Sequence, residues 1–248
     1  MQSPEEDHEP ARRLAVLVDG DNAPPKAMSA ILAEAAKYGD IILRRVYGDW
    51  TSPSMQGWKQ VLHELAFTPV QQFRYVAGKN STDAAMVIDA MDILYKGDVD
   101  TFAIVSSDSD FTRLATRLRE SRKLVLGIGE RKTPTTLVSA CNEFVYVENL
   151  VKQPHAQRRT ESGAKRPKPA SKATEDLEDL LIDAFETVEG EDGFASLSAL
   201  ANQLLVRAPG FDPRSYGKRQ LLQLVEDSGV FDVQREAKSR RVYVRLKD

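Results

Sequence analysis

Leu14 to Asn22 read LAVLVDGDN, five consecutive apolar residues running straight into two aspartates separated by one glycine, then an asparagine. Aliphatic residues without polar alternation describe a strand buried on both faces, the kind found in parallel sheets covered by helices. The acids that follow mark its exposed tip. Thr101 to Phe111, TFAIVSSDSDF, repeat the arrangement, with Asp108 and Asp110 behind another apolar run.

Working outward from these two segments, strands are expected over Leu14–Val18, Ile41–Tyr47, Val70–Tyr75, Thr101–Ser106, Leu124–Ile128 and Phe144–Val147. Helical patterns fall near Lys26–Tyr38, Met55–Ala66, Thr82–Tyr95, Phe111–Ser121 and Pro134–Ala140. Strands alternating with amphipathic helices predict an α/β fold with a doubly wound, mostly parallel sheet over residues 12–150. In such sheets ligands bind outside the carboxyl ends of the strands, where the strand order reverses. If the first and fourth strands are neighbours, their acidic tips share one crevice. Asp83 opens the helix STDAAMVIDAMDILY, which is expected to bury Ala84, Val87, Ile88 and Met91 and to leave Asp83 at the mouth.

Carboxylates this close repel one another and resist ionisation unless a cation joins them. Oxygen donors without Cys or His favour a hard ion, Mg²⁺ or Mn²⁺. Such an ion can activate water and stabilise a leaving oxygen in phosphodiester cleavage. The plainer alternative is that Asp19, Asp21, Asp108 and Asp110 cap the helices that follow them.

The remaining chain sets the context. Its 248 residues, 42% hydrophobic and 29% charged, suit a globular protein with one large core and a smaller module. A single cysteine, Cys141, excludes an internal disulfide and a cysteine-based zinc site. The acidic start, MQSPEEDHEP, lacks the features of a secretion signal, and no apolar run approaches the ~20 residues of a membrane span. A disordered N-terminus over 1–11 and a cytoplasmic location are the expectations. Residues 151–173 read as a flexible linker, with seven Lys or Arg against the single acid Glu161 between Lys152 and Lys172.

From residue 174 the chain turns helical. Thr174 is expected to cap a helix through TEDLEDLLIDAFETV, SLSALANQLL forms a second, and DPRSYGKRQLLQLVEDSG forms a third that closes at Gly229. VFDVQRE and RRVYVRL then alternate as the strands of a hairpin. The sum is a winged helix-turn-helix over 174–248. Arg214, Lys218 and Arg219, with Lys238, Arg240 and Arg241 in the hairpin, are its candidate phosphate contacts. Lys79 and Asn80, just before Asp83, are candidates for the scissile phosphate; a plain turn is equally consistent with them. Trp50 and Trp58 suit either base stacking or loop packing. His63 and His155 are given no catalytic role.

VDGDN (Val18–Asn22), KNSTDAAMVIDAMD (Lys79–Asp92) and VSSDSDF (Val105–Phe111) together resemble the NYN domains, PIN-like nucleases. The resemblance implies a metal-dependent ribonuclease with Asp19, Asp83, Asp108 and Asp110 as its acidic, metal-binding cluster. Asn22 would position a ligand or the loop, and Asp89 is a weaker carry-over. The chain departs from the pattern at Ser107, where glycine is common, and in the looser KNSTD. RSYGKRQLLQLVEDSGVFDV followed by RRVYVRL resembles a LOTUS, or OST-HTH, domain over about Glu175–Lys247. That implies RNA binding or, in other members, a protein partner.

Three functions are consistent with these features. The first is a ribonuclease whose tail recruits single-stranded or structured RNA. The second is a non-catalytic RNA-binding adaptor. The third is a phosphatase of the haloacid-dehalogenase type with Asp19 as nucleophile, which would leave Asp83 unexplained. Self-association is left open.

Overall fold

The computed structural model describes residues 11–73, 81–151, 171–190, 192–235 and 241–247. The expected acidic N-terminal segment and most of the basic linker fall outside them. The chain divides into two compact units at Val151 and Lys152.

In the first unit, β1 (Arg13–Asp19), β2 (Asp40–Gly48), β3 (Thr68–Gln71), β4 (Thr101–Val105), β5 (Leu124–Gly129) and β6 (Glu143–Tyr146) form one sheet in the order β3-β2-β1-β4-β5-β6. Every pairing is parallel. The order reverses between β1 and β4, which is the switch point where a crevice opens at the strand ends. Both strands are buried throughout their apolar runs, as a central position between two helical layers requires. One layer contains α3 (Ser81–Lys96), α4 (Thr112–Glu120) and α5 (Thr135–Ala140), packed with Leu17, Tyr47, Phe102 and Ile104. The other contains α1 (Met28–Ala35), α2 (Trp58–Glu64) and α6 (Val147–Leu150), packed with Val16, Val18, Ala103 and Val105.

Two expectations for this unit are corrected. The third strand begins earlier, at Thr68–Gln71, on the sheet edge, where Pro69 cannot break a central ladder, while Arg74 and Tyr75 of the expected strand lie outside the described residues. The buried face of α3 is also different. Thr82, Met86, Ala90, Ile93 and Leu94 face inward and Val87 and Met91 pack half-buried beside them, whereas Ala84 is exposed and Ile88 is 64% exposed. Residues 84–88 are apolar without a break, so periodicity there admits two stripes. The structure selects the one that lets Asp89 meet Arg45 and the Tyr47 hydroxyl on β2. Asp89 is therefore a structural acid that ties α3 to the sheet.

In the second unit, α7 (Ser171–Val188), α8 (Leu197–Arg207) and α9 (Leu221–Ser228) pack on β7 (Ala195–Ser196), β8 (Phe231–Arg235) and β9 (Val242–Leu246). The three strands are antiparallel in the order β7-β9-β8, giving the winged helical module. The first helix starts at Ser171, so Thr174 lies inside it rather than at its start. The expected third helix is broken: Pro213–Tyr216 form a 3₁₀ turn, Gly217 takes φ 77°, and α9 begins only at Leu221. A left-handed glycine ends a helical segment by letting its N–H reach back to a carbonyl, here that of Arg214.

Candidate metal centre at the strand switch point

β1 delivers Asp19 to the crevice fully buried. Its carboxylate accepts hydrogen bonds from Asn22 Nδ2 at 2.7 Å, Ser106 Oγ at 2.8 Å and the Asp21 backbone N–H at 3.2 Å. Burial nevertheless holds its pKa above the ordinary carboxylate range. The hydrogen bonds oppose that shift without cancelling it. Neither Asp19 nor Asp21 caps α1, because the helical segment there opens after Pro24 with no side-chain cap.

Ser106 joins the two strand tips. Its hydroxyl donates to Asp19 and accepts from the Asp108 N–H at 3.0 Å. Asp108 in turn accepts from the Asp110 N–H at 2.9 Å, so it does cap the short 3₁₀ turn Ser109–Phe111. Cap and cluster are compatible, since a carboxylate has two oxygens. One oxygen from each of Asp83, Asp108 and Asp110 lies within 4.8 Å of the other two. Asp83 is half-buried in the first turn of α3. Its pKa is pushed up to about 6, first by desolvation and then by repulsion from Asp19, Asp108, Asp110 and Asp21. Five acids thus share one field. A set of three convergent oxygen donors with no nitrogen or sulphur suits a hard divalent cation and offers no soft ligand to a thiophilic one.

The family follows from the chain that builds this crevice. The NYN domain profile matches residues 13–148. The chain belongs to the NYN-domain family. A second profile, the OST-HTH/LOTUS domain, matches residues 168–243 and accounts for the winged module. An uncharacterized protein of Methanocaldococcus jannaschii is 27% identical over 137 residues, 54% of each chain, so the chain spans about half the length of that curated relative. A crystal structure of a Vibrio parahaemolyticus protein of unknown function is 24% identical with a TM-score of 0.47, covering 59% of this chain and 96% of the other. A solution structure of an uncharacterized Nitrosomonas europaea protein is 21% identical with a TM-score of 0.27, covering 40% and 91%.

Within the NYN domain, the sequence candidates separate. Asp83, Asp108 and Asp110 converge; Asp19 sits buried close enough to raise the pKa of Asp83, and Asn22 holds Asp19. Lys79 and Asn80 lie outside the described residues. Trp58 is buried and donates to the Gly20 carbonyl at 3.0 Å, while Trp50 donates to the Val70 carbonyl at 3.0 Å. Both support loops beside the site. Ser107, where glycine is common, accepts from the Glu130 N–H at 2.8 Å and fastens the β5 exit. Sequence reasoning gave no role to Ser106, nor to Thr82, whose hydroxyl donates to Asp21 at 3.1 Å. Both stand inside the quoted motifs, and hydroxyls next to acids were the available signal.

In the LOTUS module, the Arg214 guanidinium is bound to Asp212 at 2.8 Å, and Lys218 pairs with Asp227. Arg235 pairs with Glu226 at 3.0 Å, and Arg245 lies over the Phe194 ring. Arg219 is exposed. Lys238 and Arg240 lie outside the described residues, and Arg241 is the first residue described after them.

Proposed function

We propose that the NYN domain is a ribonuclease dependent on Mg²⁺ or Mn²⁺, that the LOTUS module binds RNA for it, and that the protein works in the cytoplasm. The supporting observation is the approach of Asp83, Asp108 and Asp110 within 4.8 Å at a strand switch point. Asp83, Asp108 and Asp110 would hold the ion, and Asp19 would add its buried charge or a fourth oxygen. When bound, such an ion supplies a polarised phosphoryl oxygen and a more acidic water. Asn22, Ser106 and the Asp21 N–H keep Asp19 fixed, while Ser106 sets the backbone that aims Asp108. Thr82 steadies Asp21 at the rim.

The phosphatase alternative is weakened by Asp19 itself, which is buried with both oxygens already hydrogen-bonded and is poorly placed to attack a phosphorus atom. The adaptor alternative shares every acid with the nuclease. Incubating the full chain with structured and single-stranded RNA in Mg²⁺, Mn²⁺ or EDTA separates them. Cleavage that stops in EDTA and in Asp108→Asn is the expected result. Equal cleavage by Asp108→Asn would refute the mechanism, and RNA binding without cleavage under both metals would favour the adaptor.

A further inference from the structure

At the other end of the sheet, below the amino ends of β1, β4 and β5, lies an open groove of about 760 Å³. That is within the size range of small-ligand sites. Arg12, Arg119, Arg122 and Lys123 line it, together with Asp100 and Glu120. Both acids are engaged by arginines outside the lining. Asp100 accepts from the backbone and side chain of Arg13, and Glu120 faces Arg117 at 3.9 Å. Of the four cations, Lys123 lies in the field of Asp100. Arg119 spends one nitrogen on the carbonyls of Ser139, Ala140 and Cys141. The side chains of Arg12 and Arg122 have no hydrogen-bond or ion-pair partner among the described residues.

Arg122 carries a second observation. It follows the last residues of α4 with φ 60°, in the left-handed position where helices usually end on glycine. An arginine there accepts a conformational cost that glycine would avoid. Ala66 ends α2 in the same conformation, so the cost alone assigns no use; at Arg122 it holds a guanidinium on the groove lining.

We propose that this groove binds phosphates of the RNA strand that the acidic crevice acts on, with Arg12 and Arg122 as the principal contacts. This rests on the ribonuclease assignment. Guanidinium groups suit phosphate because their planar N–H fork matches two oxygens at once. β1 runs from Arg12's neighbour to Asp19, and seven residues of strand span roughly 20 Å. RNA held at the groove therefore reaches the acids only through several intervening nucleotides, which makes strand length part of substrate choice.

The test irradiates the full chain with thiouridine-substituted single-stranded RNA in EDTA and maps crosslinked peptides by mass spectrometry. Crosslinks are expected within residues 112–124, and their loss is expected in Arg12→Ala/Arg122→Gly, while those elsewhere persist. Arg122→Gly relieves the left-handed strain, so an unchanged or higher Tm shows that the loss is not unfolding. Crosslinks confined to residues 152–248, or undiminished labelling of 112–124 in the double variant, would overturn the proposal. Groove crosslinks that persist in a chain inactive under both metals would refute the ribonuclease assignment and leave RNA binding at the groove standing.

Discussion

Asp83 carries the charge that the acidic cluster tolerates least. Its carboxyl titrates near 6 in the metal-free fold, against an ordinary value of 3.8. Between those values the folded chain holds more protons than the unfolded one, so stability is greatest at the acid end and falls as pH rises through about 6. A divalent cation competes with those protons. The Tm gain from Mg²⁺ should therefore grow from pH 5 to pH 7, which scanning fluorimetry with and without EDTA can measure. A gain independent of pH would mean the ion binds elsewhere. Asp83→Asn removes the repulsion without changing side-chain size. The metal-free variant should melt about 2–4 °C higher, equivalent to roughly 1 kcal/mol, while losing the Mg²⁺ response and RNA cleavage.

Elements are where sequence and structure agree and part. β1 and β4 were legible because central parallel strands need unbroken aliphatic runs and place acids only at their tips. Their adjacency is a condition of the crevice in a doubly wound sheet, and the pairing of Leu14–Val18 with Thr101–Val105 meets it. The buried stripe of α3 is illegible because Ala84 to Ile88 are all apolar; the packing of Met86, Ala90 and Ile93 and the contacts of Asp89 with β2 mark the face that turns inward. The break before α9 was hidden because Arg214 to Val225 contain helix-compatible residues on both sides of Gly217. A Cβ at Gly217 would meet nothing within 4 Å, so Gly217→Ala isolates the backbone term. It should destabilise the winged module by about 1–2 kcal/mol, the usual penalty for left-handed alanine, readable as a lower midpoint in urea. An unchanged midpoint would mean the turn relaxes.

At the scale of the whole molecule, each unit has its own core. Leu181, Phe185, Leu200, Leu204 and Val244 form the core of the winged module. Leu181→Ala should cost about 2–5 kcal/mol in that module. Calorimetry is expected to show one transition moving down while the Mg²⁺-responsive transition stays in place. Coincident movement of both would reveal coupling between the units. The clasp of Asp89, Arg45 and Tyr47 has its own readout. Burial and the hydrogen bond to Asp89 raise the Tyr47 phenol above the ordinary 10.0. In an alkaline absorbance titration at least one of the seven tyrosines should stay un-ionised after exposed phenols have become phenolates. It should ionise only when the chain denatures, giving an optical marker for loss of the NYN fold.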